Sequence, residues 1–267
     1  MMSASYKIMG VINVTPDSFS DGGKYYQTEN ALKQALELIQ QGADIIDIGG
    51  ESTRPGAEII DTDEEIKRVV PIIKALRAQD SKITISIDTT KPQVMRAAIK
   101  AGANFINDTN ALQAEGALEL VAEANIPVCL MHKQGQSKSM QNNPKYAQVL
   151  VEVMEFLGDR ADVCMQAGVK EENIIIDPGI GFGKTLEHNL TLLRHIEQLN
   201  LLDFPVLIGV SRKSMVGEIL NREVEDRLYG SLAIAQYCYL QGAEYLRVHD
   251  VRATKDILDM TEILYYK

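Results

Sequence analysis

Between Met9 and Gly23 an apolar run, Met-Gly-Val-Ile, gives way at Asn13 to Val-Thr-Pro-Asp-Ser-Phe-Ser-Asp-Gly-Gly. Core packing has no use for so many polar and small residues in one stretch, so the segment reads as chemistry delivered on the exit of a buried strand. The arrangement recurs: Asn13, Asp47, Asp88, Asn107, His132, Asp177, Ser211 and His249 each stand at or just beyond the end of an apolar run. Singly, such residues cap strands and start turns. Together, in phase, they point to a ring of donors and acceptors around one pocket. Their types divide. Asp88, Asn107 and Asp177 suit a flat nitrogen heterocycle, because carboxylates accept from ring N–H and amino groups while an amide both donates and accepts. Arg54, Lys213, Arg247 and His249 suit an anion, through guanidinium forks and a lysine point charge. A heterocycle carrying an anionic leaving group would use both sets. The alternative is that Asp88 and Asp177 pair with Lys213 and Arg247 inside the pocket mouth, as structural ion pairs do.

Short apolar runs rich in β-branched residues must position these side chains. They span residues 8–14, 44–48, 83–87, 104–107, 127–131, 173–177, 205–210 and 244–248, and each is followed by a loop and a helix-compatible stretch. Strand alternating with helix implies right-handed parallel crossovers, and eight such units at this length predict a closed (β/α)8 TIM barrel. No linker or low-complexity block interrupts the rhythm, so residues 1–267 are expected to form a single domain. Gly42-Ala43-Asp44, Gly102-Ala103-Asn104 and Gly242-Ala243-Glu244 form a weak repeat between helix and strand, where glycine can end a helix in the left-handed conformation. Thr62-Asp63-Glu64-Glu65 has the spacing of a capping box, and Pro71 should kink or restart the helix that follows.

The chain has 267 residues, 45% apolar and 24% charged, ample to bury a core. A formal charge of -10 disfavours a broad nucleic-acid footprint, which needs concentrated Lys and Arg. No apolar run approaches the roughly 18 residues of a membrane-spanning helix, and Met1 to Ile8 lacks a signal-peptide pattern, so a cytoplasmic protein without membrane contact is expected. Cys129, Cys164 and Cys238 lie far apart in apolar stretches, which predicts buried free thiols.

Two motifs invite misreading. Pro178-Gly-Ile-Gly-Phe-Gly-Lys184-Thr185 resembles a phosphate-binding P-loop, but Pro178 stands where that spacing requires the first glycine. It reads better as a turn whose small residues let the backbone and the Phe182 ring approach a ligand. His188 and His195 are helix-spaced and read as surface or packing histidines; of these and His132, only His132 borders the expected site.

The segments Asn13 to Gly23, Gly49 to Gly56, Ser86 to Thr89, Ile106 to Asp108, Leu130 to His132, Asp177 to Lys184, Ser211 to Ser214 and Arg247 to Asp250 resemble, in order, the signature series of the dihydropteroate synthase family. The resemblance implies a TIM-barrel transferase of folate biosynthesis. Such an enzyme condenses 6-hydroxymethyl-7,8-dihydropterin diphosphate with 4-aminobenzoate, releases pyrophosphate and is a sulfonamide target. It implies that Asp88, Asn107, Asp177 and Lys213 line the pterin pocket, with Asn13 holding Mg2+ against the diphosphate. Thr53, Arg54, Arg247 and His249 would contact the diphosphate, while Phe19, Pro55, Phe182, Lys213 and Ser214 would frame aminobenzoate. Asp88, Arg54, Lys213 and Asp21 are the expected catalytic residues. The resemblance further implies a homodimer through helices near the C-terminus, where Ser231 to Leu240 could equally be ordinary core.

That division of charge favours dissociative chemistry, in which the diphosphate leaves before the neutral amine attacks. No Ser-His-Asp arrangement is visible to supply a covalent intermediate. Residues 15–23 and 51–56 carry Gly or Pro bends suited to ordering over bound diphosphate, so diphosphate is expected to bind first. A pterin-binding methyltransferase-type domain shares the barrel and the acids but has no use for a diphosphate grip. A non-catalytic pterin-binding paralogue is a further alternative, disfavoured because no motif looks degraded. For a phosphate-ester aldolase or isomerase, no suitably placed Schiff-base Lys or Glu base is seen.

Overall fold

The computed structural model describes residues 6–14, 24–52, 60–135 and 140–266. Eight strands alternate with helices: β1 (Lys7–Asn13), α1 (Lys24–Gln40), β2 (Ile45–Gly49), α2 (Thr62–Gln79), β3 (Thr84–Asp88), α3 (Pro92–Ala101), β4 (Phe105–Asp108), α4 (Ala117–Ala124), β5 (Val128–Met131) and α5 (Val149–Gln166). The second half continues with β6 (Ile174–Asp177), α6 (Leu186–Arg194), α7 (Ile196–Leu199), β7 (Leu207–Ile208), α8 (Ser214–Leu220), α9 (Leu228–Leu240), β8 (Tyr245–Val248) and α10 (Val251–Tyr266). All neighbours are parallel, in the order β6-β5-β4-β3-β2-β1-β8-β7. A parallel bridge from Ile176 to Val206 brings β6 against β7 and all but closes the ring, making the expected TIM barrel. Each expected strand is present, though β7 is cut to two residues by the narrow seam.

Because successive side chains alternate faces, the register sorts the interior into layers. Ile45, Phe105, Ile175 and Tyr245, from the even strands, form the lowest layer, and Met9, Ser86, Cys129 and Leu207, from the odd strands, the next. All of these but Ser86 share one apolar cluster, separate from the larger core. The opposite faces carry Ile46, Ile48, Ile85, Ile87, Ile106, Val128, Leu130, Ile174 and Ile176, which pack under the helices. Both faces of every strand are thus buried, which is why the strands read as continuous apolar runs. Each such side chain contributes about 1.5–3 kcal/mol through removal from water.

Gly102 ends α3 at φ 118°, and its repeat-mates Gly42 and Gly242 also have positive φ. In the first two copies the side chain of the third residue bonds the preceding strand. Asp44 Oδ2 accepts from Ile8 N at 2.9 Å and Asn104 Oδ1 from Ile85 N at 2.8 Å, pinning the start of the neighbouring strand. One local expectation is corrected. Helix α2 is capped by Asp61, whose side chain accepts from Glu64 N, one residue ahead of the expected Thr62–Glu65 box. Pro71, expected to kink or restart this helix, lies inside it without a restart. All three cysteines are free and buried, as expected.

Candidate active site

Above the apolar layers, the same alternation places Asp47 (β2), Asn107 (β4), Asp177 (β6) and Arg247 (β8) in one polar layer, with Asp88 (β3) one step higher. Asp47 Oδ2 accepts from both Arg247 Nε at 2.6 Å and Asn107 Nδ2 at 3.1 Å, and Arg247 Nη2 reaches Asp88 Oδ2 at 2.7 Å. The acids and the arginine are therefore one network. Arg247 is not segregated into a purely anion-binding half, and its pairing with Asp88 is the ion pair that the alternative reading of the sequence foresaw. Asp47, which the sequence placed at a strand exit without a role, is the hub; its second oxygen is buried with no partner, as is Ser86 Oγ in the layer beneath.

Burial raises the Asp88 carboxyl well above the carboxylate range against the pull of Arg247, with Asp47, Glu65 and Asp108 adding to the rise. Asp177 is likewise raised by burial, opposed by Lys213 and by the Gly179 N–H that its Oδ1 accepts at 2.7 Å. For Arg247, burial works against the charge, but Asp47 and Asp88 outweigh it and hold the guanidinium protonated. A cluster of acids buried around one arginine is expensive to keep unless a ligand uses it.

Lys213 donates to the Ile180 carbonyl and its Nζ lies 4.7 Å from the centre of the Phe182 ring, so the loops after β6 and β7 meet over the polar layer. Burial pushes its ammonium down to about 8, against the field of Asp177. The turn that presents it is fixed from behind. Arg212, at φ 57°, makes a two-pronged bond to Asp250 (2.9 and 2.5 Å) and takes the Ser231 hydroxyl on its N–H at 2.9 Å. Ser214 is exposed at the first position of α8. Exposed His249 approaches Ser211 Oγ, 3.1 Å from its Nδ1, on the rim.

Asn13 is partly buried at the end of β1. A side chain on Gly49 would fill a space bordered by Asn13 Oδ1 at 3.8 Å and Asp88 Oδ2 at 3.7 Å. Among the described residues no group of three or more His, Cys, Asp or Glu could hold a metal. One amide oxygen beside an open cradle fits a Mg2+ that keeps its waters and arrives with phosphate oxygens better than a resident protein-caged ion.

Phe19, Asp21, Thr53, Arg54 and Pro55 lie outside the described residues. On either side of residues 53–59, Glu51 and Ile60 are gripped by one side chain: Lys91 Nζ lies 2.6 Å from Glu51 Oε2, 2.8 Å from the Ile60 carbonyl and 2.6 Å from buried Glu65 Oε2. The stretch after Asn107, which carried no assignment beyond that residue, is held similarly. Asp108 accepts from Asn110 N and Leu112 N, and Arg160 of α5 donates to the carbonyls of Ala111 and Leu112, two non-glycine residues at positive φ. His188 caps α6 and His195 bonds the Thr191 carbonyl, so both are structural, while His132 is buried beside the site.

A model of the family described as pterin binding enzyme matches residues 9–249. Over 255 residues the chain is 48% identical to the dihydropteroate synthase of Escherichia coli K12, covering 96% of this chain and 90% of that one. The chain belongs to the dihydropteroate synthase family. Among solved structures it is similar to Xanthomonas albilineans dihydropteroate synthase with 4-aminobenzoic acid, at TM-score 0.94 and 45% identity, covering 100% of this chain and 96% of that one. It is also similar to the Yersinia pestis dihydropteroate synthase in a sulfonamide drug complex, at TM-score 0.93 and 44% identity, covering 100% and 97%. Membership of that family decides between the readings left open: the methyltransferase-type and aldolase alternatives fall, and the chain is a transferase of folate biosynthesis.

Proposed function

We propose that the polar layer holds the pterin and that the reaction proceeds dissociatively above it. The activity is condensation of 6-hydroxymethyl-7,8-dihydropterin diphosphate with 4-aminobenzoate to 7,8-dihydropteroate and pyrophosphate, a transferase step of folate biosynthesis. In this proposal Asp88, Asn107, Asp177 and Lys213 bind the pterin. Asn13, Thr53, Arg54, Arg247 and His249 attend the diphosphate. Phe19, Pro55, Phe182, Lys213 and Ser214 frame aminobenzoate, which is also where a sulfonamide would sit.

One observation carries the assignment: a barrel whose lower interior is apolar changes at the third layer to Asp47, Asn107, Asp177 and Arg247, with Asp88 above. Asp88, tied to Arg247, faces the place where positive charge grows on the pterin methylene as pyrophosphate leaves, and a fixed carboxylate stabilises that charge without reorganising. Arg54 and Lys213 offset charge on the leaving group and on the substrate oxygens, and Asp21 acts beside the second substrate. Mg2+, bound through Asn13 and the diphosphate, would supply Lewis-acid stabilisation of the departing group. The aminobenzoate amine is neutral at pH 7, so placing it matters more than deprotonating it.

Purified protein should convert the two substrates with release of pyrophosphate, and the methylene should show a large secondary deuterium isotope effect. An effect near unity would sink the dissociative path while leaving the activity intact. We also propose that residues 1–267 act as one cytoplasmic domain and that the enzyme is a homodimer. The dimer is supported by exposed Tyr229 of α9 and by Met260, Ile263 and Leu264 of α10. No described helix is long and apolar enough to cross a membrane. Sedimentation at micromolar concentration tests the dimer, and a single monomeric species would exclude it.

A further inference from the structure

We propose that Lys184 is a positioning residue for the aminobenzoate pocket, acting through Phe182 and Ile180 on Lys213. The inference rests on the reading that Lys213 and Phe182 frame aminobenzoate.

Lys184 closes the sequence that resembles a P-loop, yet its side chain is 3% exposed and turned inward. Its Nζ lies 2.9 Å from His132 Nδ1, 3.0 Å from the Gly179 carbonyl and 3.1 Å from the Phe182 carbonyl, with the His132 carbonyl a longer fourth acceptor at 3.4 Å. Burial and the Lys184 charge push His132 down to about 3, so its ring is neutral and Nδ1 accepts. No carboxylate lies within ion-pair distance of this ammonium among the described residues. Carbonyl dipoles, an imidazole and the more distant charge of Asp177 hold it while burial lowers it to about 7, which is a costly way to gain stability.

What the arrangement achieves is contact between the loops after β5 and β6. A side chain on Gly179 would collide with the His132 carbonyl, and one on Gly183 with the Gln134 carbonyl; both glycines have positive φ, at 67° and 63°. The turn is thereby drawn against the β5 loop, and Lys184 ties its two ends together. The groups it presents to Lys213 are the Ile180 carbonyl and the Phe182 ring. Phe182 thus binds one lysine through its carbonyl and covers another with its ring. Displacing the first must shift the second.

The test is Lys184→Met, which keeps length and apolar bulk but removes the donors. The KM for 4-aminobenzoate should rise about 10- to 100-fold while the Kd for pterin diphosphate stays within about threefold, because Asp88, Asn107 and Asp177 still hold the pterin. Amide exchange at Phe182, whose N–H bonds the Gly179 carbonyl at 3.1 Å, should quicken at least about tenfold. An unchanged aminobenzoate KM, or equal losses for both substrates, overturns the proposal. Should this variant not fold, His132→Leu carries the test by removing the imidazole, one of the four acceptors. It should raise the same KM about threefold, and no rise overturns the proposal. Lys213→Ala and Phe182→Ala separate the two levels. If neither affects aminobenzoate, the pocket reading itself fails; if both do and Lys184→Met does not, only the role of Lys184 falls.

Discussion

The lower and upper halves of the barrel interior are built by the same alternation of the same eight strands, yet they do different work. Below, Met9, Ile45, Phe105, Cys129, Ile175 and Leu207 fill the space with apolar atoms. Above, the layer of Asp47, Asn107, Asp177 and Arg247 is charged, networked and capped by Asp88. A closed barrel needs its interior filled, but filling it with ionisable groups costs desolvation that apolar residues avoid. The difference teaches that stability is concentrated below and chemistry above, within one continuous set of strands. Substitutions should therefore separate cleanly by height.

The sharpest break is Asp88→Asn, which keeps the shape and removes the charge: kcat/KM should fall by about 10³ or more, roughly 4 kcal/mol of transition-state stabilisation. Its urea midpoint should move little, because the asparagine oxygen still accepts from Arg247 and burial of the charge, which costs stability, is relieved. Phe105→Ala should do the reverse, costing about 3–5 kcal/mol in urea unfolding while the folded fraction keeps its kcat. A large loss of kcat in that variant would dissolve the distinction between layers. Asp47→Asn lies at the boundary. It weakens the hub between Arg247 and Asn107, so steady-state kinetics should show kcat/KM lowered about 10- to 100-fold, with most of the effect in pterin binding. The smallest effect is on pH. Lys213 is lowered to about 8 and binds as the ammonium, so kcat/KM for aminobenzoate should fall above pH 8 as that proton is lost, as well as below about pH 7 as Asp88 is protonated. Lys213→Arg, which stays charged, should lack the alkaline limb.

The two halves also differ in how much of them the sequence discloses. The strands are legible because burial on both faces leaves an unbroken apolar run, and the exits are legible because Asp88, Asn107 and Asp177 interrupt such runs at their ends. Asp47, read with the exits, instead lies in the middle of β2, Ile-Ile-Asp-Ile-Gly, where an acid flanked by isoleucines points to a buried partner. Its identity was not readable, since Arg247 is 200 residues away and meets it only when β1 pairs with both β2 and β8. Lys184 was obscured differently. Its local pattern belongs to a phosphate loop, and nothing in sequence tells a lysine facing a ligand from one turned back onto carbonyls of its own turn. The same holds for Lys91, Arg160 and Arg212, cations that fasten loops to one another and not to substrate. The cap at Asp61 in place of Thr62 reflects a choice between adjacent residues that both make good caps.

The central claim is that the pterin sits on the charged layer with Asp88 beside the reacting carbon. A crystal structure with a non-reactive pterin diphosphate analogue and 4-aminobenzoate tests it most directly. The pterin ring should be bonded to Asp88, Asn107, Asp177 and Lys213, with the aminobenzoate ring against Phe182. A pterin bound elsewhere on the barrel mouth, with the Asp47–Arg247–Asp88 network free of ligand, would contradict it.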